Sequence, residues 1–103
     1  MGGERPALRN QHVGNVVKRE VTIVYALGLH ARAAARFVHT ATAFKSQIRV
    51  TRGARTMDGK SILGLLLLSA GRGTTVEISA EGPDEQEAID TLVALAARGF
   101  EAP

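Results

Sequence analysis

The chain has 103 residues, no cysteine and a formal net charge of +3. This length fits one domain with its own hydrophobic core, and the absence of thiols excludes a disulfide framework, a thiolate metal site and a cysteine nucleophile. Because no apolar run reaches the roughly 20 residues of a membrane span, and residues 1–16 lack the apolar segment of a secretory signal, we expect a cytoplasmic protein without a transmembrane helix.

The first elements follow from hydrophobic periodicity. Residues 1–16 show none and are predicted to form a flexible leader. From Val17 onward, apolar and polar residues alternate, which predicts a half-buried strand. Gly28 marks a turn, and apolar residues at the spacing i, i+3, i+4 and i+7 then predict a helix over residues 31–43.

The middle of the chain predicts a hairpin and a short helix. Alternation predicts a strand over residues 47–51, Gly53 signals a hairpin turn, and residues 55–57 form a short return strand. Ser61 heads an apolar run that ends at Leu68. The run is too apolar for its period to be decisive, but a serine at its head is typical of a helix N-cap.

The last two elements are a strand and a helix. Alternating apolar residues predict the strand over residues 75–80. Asp84, followed by Glu87, matches the capping-box pattern and predicts the start of the helix, and Gly99 predicts its end.

The resulting order, β-α-β-β-α-β-α, indicates the fold class. Helices interleaved with few strands predict an α+β fold in which one sheet is covered by helices on one face. The chain shows no internal repeat. We therefore expect one domain over residues 17–99, with a short tail over residues 100–103.

The segment that can carry chemistry joins the first strand to the first helix, and it reads Gly28-Leu29-His30-Ala31-Arg32-Ala33-Ala34. Unpaired backbone N–H groups at a helix N-terminus attract anions, helped by the positive end of the helix dipole. A neutral His30 can attack phosphorus there, the backbone of Ala31, Arg32 and Ala33 supplies donors, and the Arg32 guanidinium can add a charge-assisted hydrogen bond. A lone histidine is more often only a helix-capping or half-buried residue. The role of His30 must therefore be judged from the residues beside it.

The stretch Gly-Leu-His-Ala-Arg resembles the active-site signature of the HPr family, the histidine-containing phosphocarriers of the bacterial phosphotransferase system. The resemblance covers about residues 17–98, including the serine-headed second helix. It implies an open-faced β-sandwich with a four-stranded antiparallel sheet covered on one face by three helices. It also implies that Enzyme I, charged by phosphoenolpyruvate, phosphorylates Nδ1 of His30, with Arg32 as electrostatic partner. An Enzyme II-type acceptor then receives the phosphoryl group. No cofactor or metal is expected in this domain.

One position departs from the family pattern. Members usually have proline directly after the arginine, where this chain has Ala33. Proline is tolerated in the first helical turn because its missing N–H would have no helical partner there. Alanine is a better helix former and restores a donor. We expect the helix and the site to be retained with Ala33. The substitution should affect the stiffness of the active-site loop and the rate of phosphoryl transfer.

A second segment, Gly59-Lys60-Ser61-Ile62-Leu63-Gly64-Leu65, resembles the family's regulatory-serine region. In several bacterial groups a dedicated ATP-dependent kinase phosphorylates a serine at this position, which makes Ser61 a candidate site and such a kinase a candidate partner. A phosphate there would add about two negative charges and weaken docking onto an acidic Enzyme I surface. A plain N-cap role accounts for the serine equally well.

The second helix carries more apolar residues than one buried face requires. By resemblance, the partner-docking side next to His30 includes Ile62, Leu63 and Leu66. An exposed apolar patch of this kind marks an interaction site. The alternative is complete burial of this helix in the core.

Other classes of function fit the sequence less well. Gly59-Lys60-Ser61 lacks the preceding glycine of a P-loop, because Ala54 occupies that position. Carrier domains with a prosthetic arm on a serine resemble acidic helical bundles, whereas this chain is basic and has strand patterns. The basic charge suggests acidic protein partners; binding to nucleic acid lacks the aromatic residues of a stacking sheet.

A metal site built from His12, His30 and His39 lacks a surrounding ligand cluster. The runner-up function is a regulatory HPr-like module that acts through Ser61 phosphorylation and partner binding, without sugar transport. A monomer is expected, since a phosphocarrier must dock several partners in turn.

Overall fold

The computed structural model describes residues 16–101. In chain order the elements are β1 (Val17–Thr22), α1 (Ala31–Ala41), β2 (Gln47–Arg52), β3 (Arg55–Asp58), α2 (Ile62–Leu67), β4 (Thr75–Glu81) and α3 (Glu85–Ala97). The predicted order is confirmed. The predicted leader, except for Val16, lies outside the described residues. Helix α1 ends earlier than predicted, because Ala43 donates to Thr40 in a tighter turn.

The four strands form one antiparallel sheet in the order β1-β4-β2-β3. Val50 lies opposite Ile78 on β4, and Ile48 lies opposite Ala80. Because side chains alternate across a strand, these four residues share one face, and all are buried. The α+β class and the antiparallel sheet are both confirmed.

The three helices cover this apolar face. Helix α3 packs on β1 and β4, α2 contacts β3, and α1 contacts both other helices. The opposite face carries polar residues such as Lys18, Glu20, Arg49 and Glu77. The result is an open-faced sandwich, in which the apolar core lies between the sheet and the helices.

Helix α3 ends in a turn at Gly99. Gly99 adopts φ +66°, as its predicted role as a helix stop requires. Its N–H donates to the carbonyl oxygen of Ala96 at 3.0 Å, and the N–H of Phe100 donates to that of Leu95 at 2.9 Å. These two hydrogen bonds form a Schellman motif. This turn directs the Phe100 side chain into the core, where it is 2% exposed. Phe100, which lies in the predicted tail over residues 100–103, thus packs in the hydrophobic core.

The predicted capping box at the start of α3 is wrong. Asp84 is the N-cap residue, but its side chain makes no capping hydrogen bond. Its carboxylate instead accepts from the backbone N–H groups of Lys45 and Ser46, both at 2.9 Å, and from the Ser46 hydroxyl at 2.6 Å. Ser46 is fully buried, and a buried hydroxyl without a partner would be costly. These hydrogen bonds lower the pKa of Asp84, and the one from Ser46 Oγ makes the largest contribution.

Candidate functional site

His30 is the N-cap residue of α1. Its backbone is extended, with φ −87° and ψ −175°, and its Nδ1 accepts the N–H of Arg32 at 3.1 Å. A ring nitrogen that accepts a hydrogen bond carries the lone pair, so the proton of the neutral ring lies on Nε2. The side chain is half-exposed. The structure therefore places the lone pair of Nδ1 at the first turn of the helix.

The loop before His30 fixes its position through backbone contacts. The N–H of Gly28 donates to the carbonyl oxygen of Tyr25 at 2.9 Å, and the N–H of Leu29 donates to the carbonyl oxygen of Ala70 at 2.9 Å. Gly28 has φ +69°, and a Cβ there would lie 2.8 Å from the Ala70 carbonyl oxygen. Only glycine fits this close approach without strain, so the Gly-Leu-His sequence has a local structural reason.

The residues after His30 form the first turn, as predicted. Ala31 and Arg32 are exposed, whereas Ala33 is 1% exposed and faces the core. First-turn N–H groups have no partner within the helix. Within residues 16–101, no acidic side chain forms a salt bridge with the Arg32 guanidinium. The backbone N–H groups of Ala31, Arg32 and Ala33 all belong to this first turn, which begins directly after His30.

Ser61 is the N-cap residue of α2, as predicted. Its Oγ accepts the N–H of Gly64 at 3.0 Å, and its side chain is half-buried. The turn before it is held by Asp58, whose Oδ1 accepts the N–H of Lys60 at 2.9 Å. The Lys60 ammonium donates to the carbonyl oxygen of Phe44 at 2.7 Å, which ties this turn to the connection between α1 and β2.

Helix α2 is only partly buried, so the alternative of complete burial is wrong. Leu65 and Leu68 lie in the core, whereas Ile62 is 42% and Leu63 is 67% exposed. Leu66 is half-buried. Residues three and four positions apart share a helix face, so the three predicted docking residues form one apolar strip, in which Ile62 and Leu63 are exposed and Leu66 is half-buried.

The structure joins this strip to His30 and adds residues that the sequence did not indicate. Leu66 lines a shallow depression together with His30 and Leu27. Leu27 is 70% exposed, and Leu67 on α2 is 51% exposed. Leu27 lies in a loop, where no periodicity marks a side chain as exposed. We call the set that consists of Leu27, Ile62, Leu63, Leu66 and Leu67 the apolar rim.

Two arginines of the β2–β3 hairpin hold the C-terminal end of α2. Arg52 donates to the carbonyl oxygens of Leu68 at 2.9 Å and Ser69 at 2.7 Å, and Arg55 donates to that of Leu67 at 2.7 Å. Cations at a helix C-terminus satisfy the unpaired carbonyls and complement the dipole. The hairpin therefore fixes the helix that carries most of the apolar rim.

A basic groove begins at Arg32 and extends between α1 and α3. Its basic lining residues are Arg32, Arg36, His39 and Arg98. The Arg36 guanidinium donates to the carbonyl oxygen of Phe100 at 2.9 Å and lies 3.4 Å from the Glu101 carboxylate. His30 thus lies between the apolar rim and a basic groove.

Within residues 16–101, no three histidine and acidic side chains cluster in a way that could hold a metal ion. His39 is exposed on α1, and His12 lies outside the described residues. No helix in the same range is long and apolar enough to cross a membrane.

The comparison with known proteins matches this geometry. The family model of the PTS HPr component phosphorylation site matches residues 17–98. The chain belongs to the HPr family. Membership assigns it a phosphocarrier role in the phosphotransferase system, and it confirms the resemblance that the Gly-Leu-His-Ala-Arg stretch indicated.

Individual relatives cover almost the whole domain. The phosphocarrier protein HPr of Cupriavidus necator is 48% identical over 85 residues, which are 82% of this chain and 96% of that protein. The HPr-like protein Crh of Halalkalibacterium halodurans is 40% identical over 80 residues, 78% of this chain and 95% of that protein. The crystal structure of HPr from Thermoanaerobacter tengcongensis superposes with a TM-score of 0.80 at 42% identity, and covers 84% of this chain and 98% of its own.

Proposed function

We propose that this family member accepts a phosphoryl group on Nδ1 of His30 from phosphorylated Enzyme I and passes it to an Enzyme II-type acceptor. The observation that carries the proposal is the hydrogen bond from the Arg32 N–H to Nδ1 at 3.1 Å. In this arrangement Nδ1 lies at a helix N-terminus, where backbone donors and the helix dipole favour an anion.

The transfer step needs only groups that surround His30. The Nδ1 lone pair forms the new bond to phosphorus while the bond from phosphorus to the donor atom breaks, and its electron pair returns to the donor. The Arg32 N–H, released from Nδ1, becomes free to donate to a phosphoryl oxygen, together with the N–H of Ala31. Phosphoryl transfer depends mostly on positioning and electrostatic stabilisation, and the exposed Arg32 guanidinium supplies a mobile positive charge.

The surroundings of His30 suit two kinds of contact with a partner. The apolar rim offers Ile62, Leu63 and Leu66, and we add Leu27 and Leu67 to the docking surface. The basic groove on the other side favours partners with an acidic surface, because complementary charge accelerates association and sets orientation. Enzyme I and the acceptor would dock on this surface in turn.

Ser61 is proposed as the regulatory phosphorylation site, with an HPr-directed serine kinase as the partner. The hydroxyl is half-buried at the head of α2, directly before the exposed Ile62 and Leu63. A phosphate would bring about two negative charges to the apolar rim. We expect it to weaken docking of an acidic partner without unfolding the helix.

A regulatory module that acts through Ser61 without sugar transport is the second candidate function. The observation in its favour is the 40% identity to a protein named HPr-like protein Crh. The two candidates differ in one property, since only the phosphocarrier must accept phosphate on His30.

The experiment incubates the chain with labelled phosphoenolpyruvate, Mg²⁺ and Enzyme I, and compares it with His30→Ala and His39→Ala. His39 is an exposed histidine on the same helix, so it is a matched control. We expect an acid-labile, base-stable phosphate on the parent and on His39→Ala, and none on His30→Ala. An unlabelled parent, beside an active HPr from another species, would favour the regulatory function.

A further inference from the structure

We propose that Tyr25 is a positioning residue, which holds the His30 imidazole in the orientation from which Nδ1 reacts. The inference deepens the proposed phosphoryl transfer at His30 and rests on it. The centroids of the Tyr25 and His30 rings are 5.1 Å apart, and the rings are tilted by 56°. Aromatic rings in contact have centroids about 4.5–7 Å apart and attract each other beyond the area that they bury.

The ring contact and the Arg32 hydrogen bond constrain the imidazole together. The second side-chain torsion of histidine is broad and roughly two-fold, so the hydrogen bond to Nδ1 at 3.1 Å is one restraint on a ring that can flip. Tyr25 supplies a second restraint from the loop that precedes the helix. With both in place, Nδ1 points at the helix N-terminus, where the phosphoryl group must be received.

Tyr25 is itself held in place, which a positioning residue requires. Its carbonyl oxygen accepts the N–H of Gly28 at 2.9 Å and closes the turn. Its ring packs edge-on against Phe100, with centroids 6.3 Å apart and an interplanar angle of 75°. Phe100 is 2% exposed, and a Cβ on Gly99 would lie 3.7 Å from Tyr25 Cδ1. The core at the end of α3 thus supports the histidine through Tyr25.

Loss of the Tyr25 ring should lower the rate of phosphoryl transfer and leave the affinity for a partner unchanged. Without the tyrosine ring, the imidazole populates orientations in which Nδ1 points away from the first turn. An aromatic contact of this kind shifts such a population roughly two- to ten-fold. The apolar rim and the basic groove contain no atom of Tyr25, so docking is unaffected. The contact needs a ring and not a hydroxyl, so phenylalanine should substitute for tyrosine.

The kinetic test compares the parent with Tyr25→Leu, which removes the ring, and Tyr25→Phe, which keeps it. We measure phosphorylation of the chain by Enzyme I over a range of chain concentrations. For Tyr25→Leu we expect kcat to fall roughly two- to ten-fold with KM unchanged, and for Tyr25→Phe we expect kcat to stay within about twofold of the parent. A parent-like kcat for Tyr25→Leu, or an equal loss in both variants, would overturn the proposal.

An NMR measurement tests the same contact without Enzyme I. The ring current of Tyr25 should displace the ring-proton shifts of His30, and His39 serves as the internal reference. In the folded Tyr25→Leu variant, the His30 shifts should move towards those of His39, whereas Tyr25→Phe should retain them. Unchanged His30 shifts in the folded Tyr25→Leu variant would show that the two rings are not in contact in solution, which would overturn the proposal. If the parent takes no phosphate, the proposed function fails, and the shifts still decide separately whether the Tyr25 and His30 rings are in contact.

Discussion

The guanidinium of Arg52 donates to the carbonyl oxygen of Leu68 at 2.9 Å. Through this bond, a hairpin on the sheet edge holds the end of the short helix that carries most of the apolar rim. The same Nη1 also donates to the carbonyl oxygen of Ser69, whose φ of +51° is unusual for a residue other than glycine. The apolar rim, which we propose as the docking surface, therefore depends on side chains of the β2–β3 hairpin that are not part of it.

Arg52→Met tests this contact, because methionine keeps much of the side-chain stem and removes the donors. We expect the unfolding free energy to fall by about 1–2 kcal/mol, as measured by urea denaturation. Arg49→Met is the matched control, since Arg49 lies on the same strand and is exposed on the open face. The control should stay within about 0.5 kcal/mol of the parent. Equal stability of the two variants would show that the arginine does not hold the helix.

Leu27 and Leu63 lie on different elements, and both should contribute to docking. Leu27→Ser and Leu63→Ser should each raise the KM for phosphorylation by Enzyme I about three- to ten-fold, by the cost of truncating an apolar contact. Their unfolding free energies should stay within about 0.5 kcal/mol of the parent, because both side chains are exposed. Leu65→Ala is the contrast, since this fully buried residue should cost about 2–5 kcal/mol of stability. An unchanged KM for Leu27→Ser would remove the loop from the docking surface.

Asp84 should make the stability of the protein depend on pH. Its folded-state pKa is lowered, first by the Ser46 hydroxyl and then by the Lys45 N–H. The stabilisation is therefore complete above the unfolded-state pKa of 3.8 and is lost as the pH falls from there through the lower folded-state pKa. Asp84→Asn should flatten the acid side of the stability curve, and Ser46→Ala should give an intermediate slope. A slope for Asp84→Asn as steep as that of the parent would contradict this assignment.

The open face of the sheet contains one unfavourable pair. Glu20 on β1 lies directly opposite Glu77 on β4, and like charges in this position repel. Glu20→Gln should raise the unfolding free energy by roughly 0.2–1 kcal/mol at low salt. The gain should shrink in 1 M NaCl, where exposed charges are screened. A gain that does not depend on salt would mean that repulsion is not its cause.

The sequence was sufficient where the decisive interactions are local. The strands of the sheet follow from alternation, and His30 and Ser61 were assigned to the starts of helices because N-capping involves residues within one turn. The family signature then added the chemistry that a lone histidine does not reveal.

The sequence did not predict contacts between residues that lie far apart in the chain. Asp84 matches a capping box locally, but the α1–β2 connection supplies three donors that outcompete the helix. Tyr25 contacts the rings of both His30 and Phe100, and Phe100 reaches the core at the Schellman turn after α3. Neither contact has a spacing that could be detected in the sequence.

The most direct test of phosphoryl transfer at His30 is the identity of the phosphorylated atom. The chain, labelled with ¹⁵N-histidine, would be phosphorylated by Enzyme I with phosphoenolpyruvate and Mg²⁺ and examined for ¹⁵N–³¹P coupling. We predict coupling to Nδ1 of His30 alone, with His39 unmodified. Phosphate on Nε2, on Ser61, or on no residue while another HPr is labelled in the same reaction, would contradict the account.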